Sequence, residues 1–369
     1  MRTWLLKLHR WAGLGLGIII FVLAVTGSAL VFENDIDATL NADLMFTKGN
    51  GQRILLQQAV DAARKAHPQD PPVSMRVVPN GLFAQERTIE LSLKSRQTAL
   101  VNPYTGEVLG TRNQEKSFAR FLHLLHTRLV AGQTGEYVTG AVTFVTFLMA
   151  LSGLYLWWPR KVLSLKTTPS WRRTNLDLHH VLGFWGSAVM VMICLSGVLI
   201  AFEEFTEPML KKLDSRPAPT ANLESTPQPG RTPISVDEAV RLANAALPGA
   251  TTTAINIPSP GKAVYRALLK FPEDRTPAGR SRVVVDQWSG KVLQTINTRE
   301  AELGTRISNL KRSAHTGDIF GWPTRALYFI ASLMIAGQVV SGFLIWWKPG
   351  KLAQSQASEA REETASEPA

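Results

Sequence analysis

The chain has 369 residues, of which 45% are hydrophobic and 19% are charged, and its formal net charge is +11. Its apolar residues are concentrated in four uncharged stretches, which excludes an ordinary soluble protein of two or three domains. Much of the excess positive charge lies in short segments beside those stretches, where membrane topology accounts for it. The charge therefore requires no nucleic-acid partner.

Four stretches without Asp, Glu, Lys, Arg or His are long enough to cross a lipid bilayer. They are residues 11–32, 138–158, 181–202 and 326–347. A helix of this length spans roughly 32 Å, which matches the hydrocarbon core. We therefore predict four transmembrane helices. The first stretch exceeds the signal-peptide core of about 7–15 residues, so we expect it to be retained.

Basic residues predict the orientation of these spans. The first ten residues carry three positive charges and no acidic residue, and the loop at 159–180 is strongly basic. Both segments are predicted to be cytoplasmic, as is the polar tail at 348–369, which is predicted to be disordered. The long segments 33–137 and 203–325 then lie on the opposite side of the membrane.

The two halves of the chain resemble each other, which predicts a tandem repeat. His9-Arg-Trp-Ala-Gly13 returns 170 residues later as His179-His-Val-Leu-Gly183. Ser152-Gly-Leu-Tyr-Leu-Trp-Trp158 returns 189 residues later as Ser341-Gly-Phe-Leu-Ile-Trp-Trp347. Each half consists of a span, an external domain and a second span, so we expect the halves to be related by an axis along the membrane normal.

Each external segment is predicted to form a small α+β domain, in which a helix packs on a few antiparallel strands. Apolar spacing predicts helices at 55–66 and 236–247, the second of them capped by Ser235. An Asn or Asp followed four residues later by Gly predicts hairpin turns at 102–108 and 286–292. Predicted strands lie at 88–93, 98–101, 264–271 and 282–285.

Six of the seven histidines lie near the ends of the predicted spans. His9 and His179 are equivalent in the two halves and lie on the cytoplasmic side, whereas His126 and His315 are equivalent on the opposite side. Ionisable groups close to hydrocarbon are costly and are usually functional. The four helices are therefore predicted to present two His–His pairs, one near each membrane face.

Two imidazoles from different helices can fill both axial positions of a b-type haem. Two such haems would carry electrons across a barrier of roughly 30 Å. The only cysteine is Cys194, inside the third span, and no Cys-x-x-Cys-His motif is present. Both haems are therefore predicted to be bound non-covalently. The alternative interpretation is that these are ordinary interfacial histidines.

Neighbouring residues leave the ligand assignment partly open. His123 and His180 each stand close to a predicted ligand, and they are candidates either for ligation or for a supporting contact. Cations beside the outer histidines are candidates for pairing with haem propionates through charge-assisted hydrogen bonds. These cations are Arg128, Lys311 and Arg312.

The HRWAGL start, the paired Gly-containing turns and the two Ser-Gly…Trp-Trp endings resemble the PepSY-associated transmembrane family. The resemblance covers nearly the whole chain except its tail. Within that family the chain is similar to iron-regulated inner-membrane ferric-siderophore reductases. This similarity implies a dihaem protein with two PepSY-like domains in the periplasm. It also implies axial ligands at His9, His126, His179 and His315.

We therefore expect an inner-membrane protein that reduces a ferric siderophore or another ferric chelate in the periplasm. Some relatives carry a fused flavin- or nicotinamide-binding reductase domain, whereas no such motif occurs in this sequence. The expected electron donor is thus a membrane quinol or a separate cytoplasmic flavoprotein. Two alternatives remain, an uptake permease for iron or haem and a non-redox regulator whose PepSY domains bind a peptidase.

Overall fold

The computed structural model describes residues 1–47, 51–77, 87–165, 170–216 and 223–347. The predicted tail at 348–369 lies outside these residues. The helices are α1 (Arg2–Leu30), α2 (Glu33–Leu40), α3 (Ala42–Met45), α4 (Leu56–Ala66), α5 (Phe118–Arg128), α6 (Gly132–Trp157), α7 (Trp171–Ala201), α8 (Glu203–Lys211), α9 (Val236–Ala246), α10 (Leu303–Thr316) and α11 (Trp322–Trp347). The strands are β1 (Pro72–Arg76), β2 (Ile89–Leu93), β3 (Gln97–Val101), β4 (Val108–Asn113), β5 (Thr251–Asn256), β6 (Val264–Lys270), β7 (Ser281–Asp286) and β8 (Val292–Ile296).

The chain divides into two compact units. The first, here called the membrane unit, contains Met1–Val31, Leu125–Phe202 and the chain from Ala326 onward. The second, the sheet unit, contains Phe32–Leu124 and Glu203–Arg325. Helices α1, α6, α7 and α11 are long and apolar enough to span a bilayer, which agrees with the four predicted spans.

Two of the long helices begin well before the uncharged stretches that predicted them. Helix α1 starts at Arg2, and α7 starts at Trp171, where Ser170 accepts a hydrogen bond from the backbone N–H of Arg173. His9, His179 and His180 therefore lie inside helices and not ahead of them. The reason is that hydropathy marks the part of a helix that contacts hydrocarbon, while the backbone hydrogen-bond ladder continues through charged turns.

Small and apolar side chains form the core of the membrane unit. A Cβ on Gly13 of α1 would lie 3.2 Å from Met149 Cε of α6, and one on Gly17 would lie 3.3 Å from Val339 Cγ1 of α11. Glycines thus let these helices approach closely, as is usual between membrane helices. The core comprises Ile20, Ala24, Val142, Ala150, Met190, Cys194, Ile335 and Ala336.

The sheet unit is built on one antiparallel sheet of eight strands in the order β4-β3-β2-β1-β5-β6-β7-β8. The four predicted strands correspond to β2, β3, β6 and β7, whereas β1, β4, β5 and β8 were not predicted from the sequence. Strands β1 and β5 pair in the middle, with Met75 opposite Ile255. The two small domains predicted from the sequence therefore share a single continuous sheet.

Helices α4 and α9 pack on one face of this sheet and cap each other. The carboxylate of Asp237 in α9 accepts hydrogen bonds from the backbone N–H groups of Leu56 and Gln57, both at 2.9 Å. In return, Gln57 Oε1 accepts from the backbone N–H of Val236 at 3.0 Å. The first N–H groups of a helix have no partner within it, so each helix start stabilises the other. The predicted cap by Ser235 is confirmed, because its side chain accepts from the N–H of Glu238.

The two predicted hairpin turns are also present and share their chemistry. Asn102 Oδ1 accepts from the backbone N–H of Tyr104, and Asp286 Oδ1 accepts from that of Trp288, each at 2.9 Å. The glycines that follow, Gly106 and Gly290, have φ of 75° and 72°. These left-handed conformations explain why glycine stands at both positions.

Candidate histidine sites

A cavity of about 250 Å³ lies among the four long helices of the membrane unit. His9 of α1 and His179 and His180 of α7 line it, and most of the other lining residues are apolar or glycine. Arg10 and Gln338 are among the few polar lining residues. The cavity therefore combines imidazole groups with a largely apolar wall, as cofactor pockets usually do.

Each of two imidazoles in this cavity is held by a serine on another helix. His9 Nδ1 lies 2.9 Å from Ser152 Oγ of α6, and His179 Nδ1 lies 3.0 Å from Ser341 Oγ of α11. The same type of contact thus occurs twice, between α1 and α6 and between α7 and α11.

The serine contacts determine which ring nitrogen carries the proton. Ser152 Oγ donates to the carbonyl of Met149 at 3.0 Å, and Ser341 Oγ donates to the carbonyl of Gln338 at 3.1 Å. Because each hydroxyl proton is used in this way, each Oγ accepts a hydrogen bond from the Nδ1–H of the imidazole. A neutral imidazole protonated at Nδ1 keeps its lone pair on Nε2, the nitrogen available to a metal.

The glycine that follows each serine makes room for the ring. A Cβ on Gly153 would lie 3.3 Å from His9 Cε1, and one on Gly342 would lie 3.4 Å from His179 Cε1. The Ser-Gly dipeptide therefore supplies both a hydrogen-bond acceptor and a flat surface. His9 and His179 line the same cavity, so the structure brings this predicted pair together.

His180, the neighbour of His179, is held differently. Its Nδ1 is buried and has no hydrogen-bond partner among the described residues. It lines the same cavity, but no hydroxyl fixes its ring as Ser341 fixes that of His179. The two members of this doublet therefore differ in how firmly the protein orients them.

His126 in the membrane unit shows the hydroxyl arrangement a third time. Its Nδ1 lies 3.1 Å from Thr26 Oγ1 of α1, and that hydroxyl donates to the carbonyl of Val22 at 2.6 Å. Thr26 therefore accepts from the Nδ1–H of His126. The next residue, Gly27, lies against the ring, where a Cβ would be 2.9 Å from His126 Cε1. His315 lies near the end of α10 in the sheet unit, so its pairing with His126 stays a prediction.

His123 belongs to the sheet unit and lies beside an acidic residue. Its Nδ1 is 4.0 Å from Glu33 Oε2. Burial raises the pKa of Glu33 above its usual value, while Arg312 opposes that change. Arg312 is exposed and close enough to Glu33 to stabilise its carboxylate form.

Two of the predicted propionate partners are engaged by carboxylates. Arg128 lies 3.0 Å from Glu136. Lys311 Nζ lies 2.8 Å from Glu203 and 2.9 Å from Glu207, and its side chain is only 8% exposed. The two glutamates already pair with Lys311, and its pairing with a haem propionate stays a prediction. Burial opposes charging of Lys311, but hydrogen bonds to both glutamates raise its pKa.

The hydroxyl residues that orient the histidines, namely Ser152, Ser341 and Thr26, were not predicted from the sequence. Their signal was present in the sequence as the Ser-Gly dipeptides at 152–153 and 341–342 and the Thr-Gly dipeptide at 26–27. Without a structure, these dipeptides indicated only a repeat. Arg10 was also missed as a residue at the cavity.

No curated protein shows significant similarity to the chain. The family model that describes the PepSY-associated TM region matches residues 6–348. This range includes almost all of the four long helices and the whole sheet unit. The chain therefore belongs to the PepSY-associated transmembrane family.

Proposed function

We propose that the chain is a haem-b electron-transfer protein of the membrane, in which His9 and His179 ligate one haem iron. The observation that carries this proposal is the pair of serine-held imidazoles lining one cavity. Both are oriented so that Nε2 keeps its lone pair. Two neutral imidazoles from different helices are the axial set of b-type haem proteins.

The residues around the cavity fit a flat, largely apolar group. Gly13 and Gly183 stand one turn after His9 and His179 and line the cavity without side chains. Arg10 provides a cation that can pair with a propionate through charge-assisted hydrogen bonds. When bound, a haem would supply a one-electron iron couple, while the apolar wall limits access of water.

A second haem is proposed at the other end of the helices, with His126 and His315 as its ligands. Support comes from Thr26, which holds His126 as Ser152 holds His9. We also propose that the two halves form a tandem repeat. The repeated serine contacts and the strand order, in which β1 to β4 and β5 to β8 extend outward from the centre, support it.

The proposed reaction is one-electron reduction of a ferric siderophore or another ferric chelate to release ferrous iron. Family membership and the resemblance to ferric-siderophore reductases support this choice. The basic segments at 1–10 and 159–180 favour a cytoplasmic face at His9 and a periplasmic sheet unit, in the inner membrane. The electron donor in this proposal is a membrane quinol or a cytoplasmic flavoprotein.

An absorption spectrum of the purified, haem-replete protein tests the proposal. We expect sharp b-type bands that change on addition of dithionite, and about two haems per chain by the pyridine haemochrome assay. The dithionite-reduced protein should then be reoxidised by a ferric chelate, with ferrous iron trapped by a coloured chelator. A colourless protein would contradict the proposal and favour a permease or a non-redox regulator.

Removal of the serine hydroxyls is expected to alter the haem environment without removing either ligand. In Ser152→Ala or Ser341→Ala, the imidazole loses the acceptor that orients its Nδ1–H, and such outer contacts tune a ligand's basicity. We expect haem to remain bound with a shifted midpoint potential and altered electron paramagnetic resonance g-values. Ser152→Thr should keep the midpoint potential and g-values of the parent protein, because a threonine, Thr26, already makes this type of contact with His126. Unchanged potentials in both alanine variants would contradict the orienting role.

A further inference from the structure

One face of the sheet carries a group of arginines in its second half. Successive side chains of a strand point to opposite faces. Ala267 of β6 and Val283 of β7 lie opposite each other and belong to the core beneath α4 and α9. Arg266 and Arg282, the residues before them, therefore lie together on the face away from these helices.

The strand register makes Arg266 and Arg282 close neighbours. Arg266 is opposite Val284, and Leu268 is opposite Arg282, so the two arginines occupy diagonal positions about 7–8 Å apart. Both are exposed. Neither forms an ion pair with a carboxylate in the part of the chain that the structure describes.

Arg280, just before β7, adds a third positive charge. Its side chain is partly buried. Burial is the largest cause that lowers its pKa, and repulsion from Arg282 and Arg312 lowers it further, while Glu203 has a weaker opposing effect. Like charges that crowd together disfavour their own charged forms. An anion placed among these guanidinium groups would relieve that repulsion.

The corresponding face of the first half is built differently. Glu90 of β2 lies 3.4 Å from Arg76 and 3.9 Å from Arg87, so the charges there are balanced. Leu100 of β3 is buried in a cluster with residues of α2 and α3. An exposed, uncompensated basic face is therefore not a requirement of this sheet. It is a specific feature of strands β6 and β7.

We propose that Arg266, Arg280 and Arg282 form the binding surface for an anionic ferric chelate, one that holds iron through carboxylates or catecholates. Guanidinium groups present paired N–H donors that match such oxygens. This inference rests on the proposed function and narrows its substrate class. Neutral chelates, such as ferric trihydroxamates, would gain little from this surface.

Binding of a redox-inert gallium(III) tris-catecholate to the full chain tests the assignment. We would measure it by isothermal titration calorimetry in nanodiscs of phosphatidylcholine, with a gallium(III) trihydroxamate for comparison. Arg266→Gln combined with Arg282→Gln is expected to weaken binding of the anionic chelate at least about tenfold, because charged hydrogen bonds are lost. Binding of the neutral chelate should not change.

The matched control removes the same charge elsewhere. Lys65→Gln combined with Lys94→Gln alters two exposed positions on α4 and after β2, and it should leave both affinities unchanged. Equal affinity of the arginine variant and the parent would overturn the proposal. A second result would also overturn it. If the arginine substitutions alter only the change in thermal stability that added phosphatidylglycerol causes, the surface contacts lipid phosphates and not a ferric chelate.

The binding experiment tests the arginine surface independently of electron transfer, because gallium(III) is not reduced. A colourless protein that still binds the anionic chelate through these arginines would contradict electron transfer and leave the binding surface in place. A protein with both haems but without selectivity for the anionic chelate would contradict the binding surface alone.

Discussion

Replacement of His9 or His179 by alanine is expected to remove about one haem per chain, and replacement of both is expected to remove no more than either one. The reason is that the two imidazoles line one cavity and would serve a single iron. Loss of either imidazole would leave a single histidine to hold a non-covalently bound haem in this cavity. Haem content by the pyridine haemochrome assay, with chain concentration from amino-acid analysis, measures the result.

Two other histidines provide controls for this experiment. His180→Ala removes an imidazole from the same cavity, and His67→Ala removes one that contacts Thr111 at 2.9 Å in the sheet unit. Both variants should retain the parent haem content. Additive losses in the double variant would place His9 and His179 in separate sites. Loss in His180→Ala with retention in His179→Ala would transfer the ligand assignment to the other member of the doublet.

Hydropathy predicted the number and position of the long helices but not where they begin. The uncharged stretches started at residues 11 and 181, whereas α1 and α7 start at Arg2 and Trp171. Basic residues near the polar surface do not interrupt a helix, so the apolar pattern understates its length. His9 and His179 were therefore expected just ahead of the spans, and both lie about two turns inside their helices.

The sheet and the imidazole contacts depend on pairings that no local pattern reveals. β1 and β5 pair in the centre, although more than 170 residues separate Met75 from Ile255. Ser152 likewise contacts His9 across 143 residues. The sequence did predict hairpin turns and strands with apolar runs, because those depend on neighbours along the chain. It could predict the candidate histidines, but not the hydroxyl groups that fix their tautomer.

Substitution of Gly27 by alanine is expected to impair haem binding at His126 more strongly than removal of a serine hydroxyl does at His9 or His179, because it displaces the imidazole ring itself. The added Cβ would lie 2.9 Å from Cε1 and 3.4 Å from Nδ1 of the His126 ring. Carbon atoms do not approach so closely without strain, and membrane helix backbones that carry glycine at a contact cannot easily separate. The imidazole must therefore move, which disturbs its hydrogen bond to Thr26 at 3.1 Å. Haem content should fall toward one per chain.

Gly15→Ala is the matched control, because both glycines lie in α1 and, among the described residues, nothing beyond the adjoining residues and backbone of α1 lies within 4 Å of a Cβ built on Gly15. Alanine favours a helix over glycine by about 0.5–1 kcal/mol at either position. Any difference between the two variants thus reports the contact with His126 and not the backbone. Comparison of haem content and thermal stability in detergent measures that difference. Identical haem content in Gly27→Ala, Gly15→Ala and the parent would mean that the position of the His126 ring does not matter for cofactor binding.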